Sequence, residues 1–141
     1  MVIELLPVES LRPHEAVIEG LLEQKIIKIT SNDFFHKPII VDSKSRVILD
    51  GHHKWNAARE LKLDLVPVYL VDYLNDDSIS VGLWKNADLE RISKDDVINM
   101  GMENDVFGPK TSRHYFEYKV PKIKIPLSRL KNKGTLASIP K

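Results

Sequence analysis

The stretch Leu49-Asp50-Gly51-His52-His53-Lys54-Trp55 constrains this chain more than any other, because it sets a carboxylate, a glycine, two imidazoles and an ammonium where a strand gives way to a helix. Residues 45–49, Ser-Arg-Val-Ile-Leu, read as a short buried strand, and residues 52–63 put Trp55, Ala58, Leu61 and Leu63 near one helical face. The first turn of a helix leaves backbone N–H groups without intrahelical partners, and Gly51 lets a ligand come close to them. The combination predicts an anion site and points to phosphate chemistry.

At 141 residues, 43% of them hydrophobic, the chain has the length of one well-buried domain, and a single domain over residues 1–141 is expected. It contains no run of about 18 apolar residues. Residues 1–4, Met-Val-Ile-Glu, carry neither the basic start nor the long apolar stretch of a signal peptide, so a soluble cytoplasmic protein with no membrane partner is expected. The absence of cysteine removes disulfides, thiolate zinc sites and a thiol nucleophile together. The net charge of +1 hides an asymmetry: residues 1–106 hold 12 Lys/Arg against 19 Asp/Glu, and residues 107–141 hold 9 against 1. The basic part either binds phosphates or nucleic acid, or docks on the acidic body of its own domain.

Strands are expected at residues 2–8, 38–41, 46–49 and 66–71, with Pro67 near the start of the last, where an edge or first position tolerates it. A helix is expected over residues 15–29, opened by Pro13, with Val17, Leu21, Leu22 and Ile26 on its core face and the turn formers 30–33 ending it. Residues 76–83 and 93–102 read as further helices, the second capped by Ser93 with Asp95 and Asp96 in its first turn. Residues 108–114 read as a loop, 115–120 and 123–126 as short strands, and 132–141 as a mobile tail. Helices and strands mix irregularly, which predicts the α+β class.

Asp50-Gly51-His52-His53-Lys54, following a hairpin and preceding Ala57-Ala58-Arg59-Glu60-Leu61, resembles the ParB/sulfiredoxin-like superfamily, and more narrowly its free L-serine kinases, best known from archaea. Three ordered matches carry the narrower likeness: Arg12-Pro13-His14-Glu15, Asp50 to His53, and Pro109-Lys110-Thr111-Ser112-Arg113-His114. Weaker matches at Phe35 to Pro38, Asp72-Tyr73, Asp76-Asp77 and Trp84 extend it over nearly the whole chain. The resemblance implies a small mixed sheet with packed helices, and a kinase that makes O-phospho-L-serine, a precursor for cysteine synthesis, from L-serine and ADP or ATP with Mg²⁺. The chain departs from the pattern at Lys54, where the family has arginine, and in a much shorter segment between Leu89 and Phe107.

Phosphoryl transfer to a hydroxyl needs a base or positioner, positive charge on the phosphates and usually Mg²⁺. Glu15 resembles the family's catalytic glutamate; on sequence alone it also fits a first-turn carboxylate that complements a helix dipole. Asp50 would be a magnesium ligand or a second acid/base group, and also fits a helix N-cap. Gly51, His52, His53 and Lys54 would hold the transferred phosphate. Lys110, Thr111, Ser112, Arg113 and His114 form the densest phosphate-binding cluster, which read without the family is also a solvated basic turn. In this reading the basic residues 107–141 complete the phosphate site. Phe35, Lys37 and Trp84 are candidates for the serine end of the site, although a lone tryptophan is commonly core.

A ParB-like nucleotide switch or nucleic-acid-binding module is the alternative. Such proteins carry a Gly-Glu-Arg-Arg motif at the position of Gly51 to Lys54 and a helix-turn-helix domain, and the chain has neither, so no sequence-specific nucleic-acid partner is expected. A sulfiredoxin-type reductase needs a cysteine and is excluded.

Overall fold

A continuous apolar run sets the centre of the molecule: Ile39, Ile40 and Val41 are all buried, as in a strand covered on both faces. The computed structural model describes residues 3–131. The strands β1 (Ile3–Pro7), β5 (Leu65–Val71), β3 (Ile39–Asp42) and β4 (Ile48–Asp50) form one mixed sheet in that order. β5 runs antiparallel to β1 and parallel to β3, and β3 turns back antiparallel into β4.

Alternation along β3 and β4 sends neighbouring side chains to opposite cores. Ile39, Val41 and Ile48 cluster with Leu22 and Ile29 of α1 (Glu19–Asn32) and with Trp55 and Ala58 of α2 (His52–Glu60). Ile40, Val47 and Leu49 cluster with Val71, Tyr73, Ile79 and Val97, the last on α3 (Lys94–Met102). Two smaller antiparallel pairs complete the fold. β2 (Phe34–Phe35) joins β8 (Ile125–Pro126), which leads into α4 (Leu127–Leu130), and β6 (Ile79–Leu83) joins β7 (Ser112–Phe116). The α+β class with a small mixed sheet and packed helices is the one the sequence predicted.

Several local expectations are corrected. The first long helix begins at Glu19, not near residue 15, because residues 12–16 are held extended between two other segments. Arg12 N–H donates to the Arg46 carbonyl and Ile48 N–H to the Arg12 carbonyl, while Phe107 N–H donates to the His14 carbonyl and Ala16 N–H to the Phe107 carbonyl. Backbone groups committed in this way cannot enter a helix. Glu15 is therefore not a first-turn carboxylate, and Pro13 does not open the helix. The helix also outlasts its turn formers: the Thr30 hydroxyl donates to the Ile26 carbonyl, and Asp33 ends the helix at φ 62°.

Residues 79–83, expected within a helix, are β6, paired with β7 from Ile79 opposite Phe116 to Leu83 opposite Ser112. Ile-Ser-Val-Gly-Leu has the two-residue alternation of a strand, and Asp76 accepts from the Ser78 N–H and hydroxyl in the turn ahead of it. β7 begins inside the expected 108–114 loop and ends at Phe116, and the last strand is only Ile125–Pro126. Pro67 lies in a strand with two neighbours, but β3 begins to pair only at Val68, so the proline falls where β5 meets β1 alone. α3 matches its prediction closely: the Ser93 hydroxyl accepts from Asp96 N–H, and the Asp96 carboxylate accepts from Ser93 N–H. The tail expected at 132–141 lies outside the described residues.

Candidate active site

β4 ends at Asp50, Gly51 turns the chain, and α2 starts at His52 beside a cleft of about 670 Å³. Gly51 has φ +106°, and a Cβ there would lie 3.2 Å from Ile39 Cγ1, so a side chain meets both a disfavoured backbone conformation and a crowded core. Gly51 is thus the residue that lets a buried strand run directly into the helix that lines the cleft.

The floor of the cleft is a packed set of histidines, with His52 and His114 lining it and His14 behind them. His14 is fully buried, with its ring 4.5 Å from that of His52 and 5.8 Å from that of His114. His14 N–H donates to His52 Nε2 at 3.1 Å, and Ile18 N–H donates to His53 Nε2 at 3.2 Å. A ring nitrogen that accepts carries no proton, so both rings are neutral in this arrangement and only their Nδ1–H can donate to a ligand. That narrows the expected role of His52 and His53 as phosphate donors, since His52 has already given Nε2 to the extended segment that carries Glu15 and His53 has given its own to the N-cap of α1. Burial pushes His52 well below the ordinary histidine value, with His14, His114 and His53 adding to it. Burial likewise holds His14 at about 4 and His114 at about 3. His114 Nε2 pairs with the Tyr73 hydroxyl at 2.8 Å.

Glu15 reaches this floor from the extended strap. Its Oε1 accepts from Ser112 N–H at 2.7 Å and contacts Ser112 Oγ at 2.8 Å, while Ser112 Oγ also lies 2.8 Å from His14 Nε2. One end of the carboxylate is thereby fixed by β7, and Glu15 lines the cleft.

The rim is cationic. Lys25, Lys28, Lys37, Lys54, Lys110 and Arg113 line the cleft, against two carboxylates, Glu15 and Asp50. Burial pushes Lys54 down to about 8; Asp50 opposes this, and Lys25, Lys37 and Lys28 add to it. Burial also lowers Lys25, with Lys28 adding and Asp50 opposing. Ammonium groups that depress one another around a cavity favour an anion between them. Across the cleft, Lys110 Nζ and Arg113 Cζ lie 4.7 and 4.5 Å from the ring centre of Trp84, so the tryptophan is a platform under two cations.

Twelve of the residues singled out from the sequence line this one cleft: Glu15, Lys37, Asp50, Gly51, His52, His53, Lys54, Trp84, Lys110, Ser112, Arg113 and His114. Two do not. Phe35 is 1% exposed and belongs to the core, touching only a smaller adjoining pocket of about 250 Å³ that Lys37 and Lys54 also line. Thr111 turns its hydroxyl to the Gly108 carbonyl at 2.7 Å and closes its own turn. The sequence reading missed His14, buried beside the glutamate it had chosen, and missed Lys25 and Lys28. Leu21, expected on the core face of that helix, is 37% exposed and lines the cleft with them, and the three-residue spacing of the two lysines on its face was the available signal.

Among the described residues no group of three or more His, Asp or Glu side chains is arranged to hold a metal ion. The histidine trio does not, because its ring nitrogens are turned onto Ile48, Ser112, the His14 amide and Tyr73. Asp50, exposed at the strand end within the cleft, is a single carboxylate. That donor set fits a magnesium ion shared with a ligand's phosphates better than a resident protein-bound metal. Among the described residues no helix is long and apolar enough to cross a membrane.

No protein-family model matches the chain. It is 42% identical over 76 residues to a ParB-like protein of Sulfolobus acidocaldarius, a match covering 54% of this chain and 37% of that one. It is 34% identical over 94 residues to an ATP-dependent L-serine kinase of Staphylothermus marinus, covering 64% and 37% of the two chains. An ADP-dependent L-serine kinase of Thermococcus kodakarensis is 30% identical over 83 residues, covering 56% of this chain and 34% of the other. The chain therefore spans little more than a third of the length of these relatives. Among solved structures, a free serine kinase in complex with AMP superposes with a TM-score of 0.81 at 16% identity, covering 91% of this chain and 93% of that one. The chain is thus similar in sequence to archaeal L-serine kinases and to a ParB-like protein, and it has the fold of a free serine kinase.

Proposed function

We propose that the chain transfers a phosphoryl group from an adenine nucleotide, ADP or ATP, to the hydroxyl of free L-serine. The observation that carries this reading is one carboxylate, Glu15, held through a single oxygen by Ser112 inside a cleft rimmed by six cations. Its sequence relatives named L-serine kinases, some ATP-dependent and one ADP-dependent, support the substrate and leave both donors in play.

In the reaction the serine oxygen attacks the terminal phosphorus, its bond to phosphorus forms as the bond to the bridging oxygen breaks, and AMP or ADP leaves. The hydroxyl proton goes to Glu15, one of the two carboxylates that line the cleft, the other, Asp50, being left to the metal. Lys110 and Arg113, spread over Trp84, and the Nδ1–H groups of His52 and His53 would meet the phosphates, while Lys25, Lys28, Lys37 and Lys54 provide ammonium charge for the acceptor's carboxylate or the donor's phosphates. Gly51 leaves the first amides of α2 open to the same anion. A magnesium ion held by Asp50 and the nucleotide would neutralise phosphate charge.

The test is ³¹P NMR of the protein with Mg²⁺ and L-serine, with ADP and ATP in separate runs, and with threonine or no acceptor as controls. Phosphoserine formed only with serine is the expected result, and the productive nucleotide names the donor. A nucleotide hydrolysed without dependence on acceptor, or left untouched, replaces this reading with a ParB-like nucleotide-binding switch, which the 42% identity to a ParB-like protein favours as the second choice.

A further inference from the structure

His14 and Ser112 stand behind Glu15 in contacts whose hydrogens can be counted. His14 Nδ1 lies 2.7 Å from the Ile48 carbonyl, which can only accept, so Nδ1 carries the hydrogen. In the neutral ring Nε2 is then a bare acceptor, and at 2.8 Å it takes the single hydrogen of Ser112 Oγ. Ser112 Oγ is also 2.8 Å from Glu15 Oε1 and has no second hydrogen to give. With the ring neutral, the one Ser112 hydrogen cannot serve both contacts and goes to the stronger acceptor of the two. When Glu15 is ionised, Ser112 must turn its hydrogen to Oε1, and His14 Nε2 is left without that donor in a fully buried site. Ser112 N–H, 2.7 Å from Oε1, holds the carboxyl in place in both states.

We propose that Ser112 and His14 are positioning residues for Glu15: as Glu15 takes the proton of the acceptor hydroxyl, the Ser112 hydroxyl turns its hydrogen from the carboxylate to His14 Nε2, so that the buried pair accommodates the protonated base. This rests on Glu15 being the base. The proton moves from the acceptor oxygen to Oε2 of Glu15, the oxygen that Ser112 does not hold; Oε1 of the neutral carboxyl is then the weaker acceptor and releases the Ser112 hydrogen to His14 Nε2, and Ser112 and His14 end with the hydrogens they began with. His14 stays neutral throughout, in keeping with the burial that holds it at about 4. The titratable groups around the pair are His52 and His53 from α2, His114 and Arg113 from β7, Lys110 from the preceding turn and Asp50 from β4.

Because His14 is fully buried, the contact is best cut at Ser112. In the intact protein, ¹⁵N NMR of the histidine rings is followed against the carboxyl ¹³C signal of Glu15 as pH is changed. The expected result is that His14 Nε2 shifts with the same midpoint as Glu15 while Nδ1 remains protonated, and that Ser112→Ala abolishes this correlation without altering the fold. An Nε2 signal indifferent to Glu15, or a His14 ring that becomes doubly protonated while Glu15 stays ionised, overturns the proposal. These readings need no substrate, so they are separate from the success or failure of the kinase assay. In turnover, Ser112→Ala is expected to lower kcat about tenfold, part of the ~10²–10⁴-fold that a positioned base supplies, with KM unchanged and with recovery in Ser112→Thr. A rise in KM alone would instead make Ser112 a ligand contact.

Discussion

Six cationic side chains reach the cleft on long stems, whereas the carboxylate beneath them is fixed by an amide and a hydroxyl of one serine, in turn backed by a buried histidine. The rim acts through charge, which tolerates imprecise placement and is screened by salt. The floor acts through hydrogen-bond geometry in a buried setting, which tolerates little. The difference teaches that mutations of equal conservatism should have unequal consequences in the two layers: large effects on rate or stability from the floor, moderate and salt-dependent effects on binding from the rim.

The largest expected effect is at the floor. Glu15→Gln keeps the shape and the amide contact with Ser112 but removes the base, and phosphoserine formation is expected to fall by about 10²–10⁴-fold with an unchanged circular dichroism spectrum. Near-full activity would remove Glu15 from the mechanism. Next is Gly51→Val, which must adopt φ near +106° against Ile39; a loss of about 3 kcal/mol is expected in denaturant melts, and an unaltered midpoint would mean that the turn is free to rearrange.

Acid comes third. Burial lowers His14 to about 4, so between the ordinary histidine value of about 6.5 and 4 the unfolded chain binds a proton that the folded one refuses. The stability at stake is whole above pH 6.5 and is lost as pH falls toward 4, by about 2 kcal/mol at pH 5 from this ring alone. Melting temperatures measured from pH 7.5 to 5 should fall accordingly, and a flat profile would show the ring to be solvated.

The smallest effect belongs to the rim. Lys25→Ala with Lys28→Ala should weaken nucleotide or serine binding by about tenfold at low ionic strength and far less in about 0.5 M salt, measured by titration calorimetry. A loss independent of salt would mean that these lysines make close directional contacts, and would erase the distinction drawn between rim and floor.

The legibility of the two layers differs for related reasons. Asp50-Gly51-His52-His53-Lys54 was readable because strand, glycine and helix start lie consecutively in the chain, so local rules of period and backbone freedom apply. The partnership of Glu15 with Ser112 was not, since 97 residues separate them and β7 had to pair with β6, a segment that reads as a helix, to bring Ser112 to the strap. The helix expected from residue 15 failed for the same cause: Arg46, Ile48 and Phe107, far along the chain, take the backbone groups of Arg12, His14 and Ala16. Phe35, a site candidate through the likeness of residues 35–38 to the serine kinases, packs in the core at the edge of a smaller adjoining pocket, because burial depends on what packs from elsewhere.

The α+β class, the buried central strands, the capped α3 and most of the residue types that line the cleft were legible in the sequence. The first three follow from periodicity and capping, which act over a few residues, and the cleft residues from the Asp50 turn and the resemblance carried by the three motifs. Only the tertiary structure decided that the lysines of an acidic segment join the basic turn in one cleft, that the histidines spend their Nε2 atoms on the protein, and that Glu15 rests on Ser112 and His14. Hydrogen bonds and desolvation act between groups that folding brings together, and their partners cannot be read from neighbours in the chain.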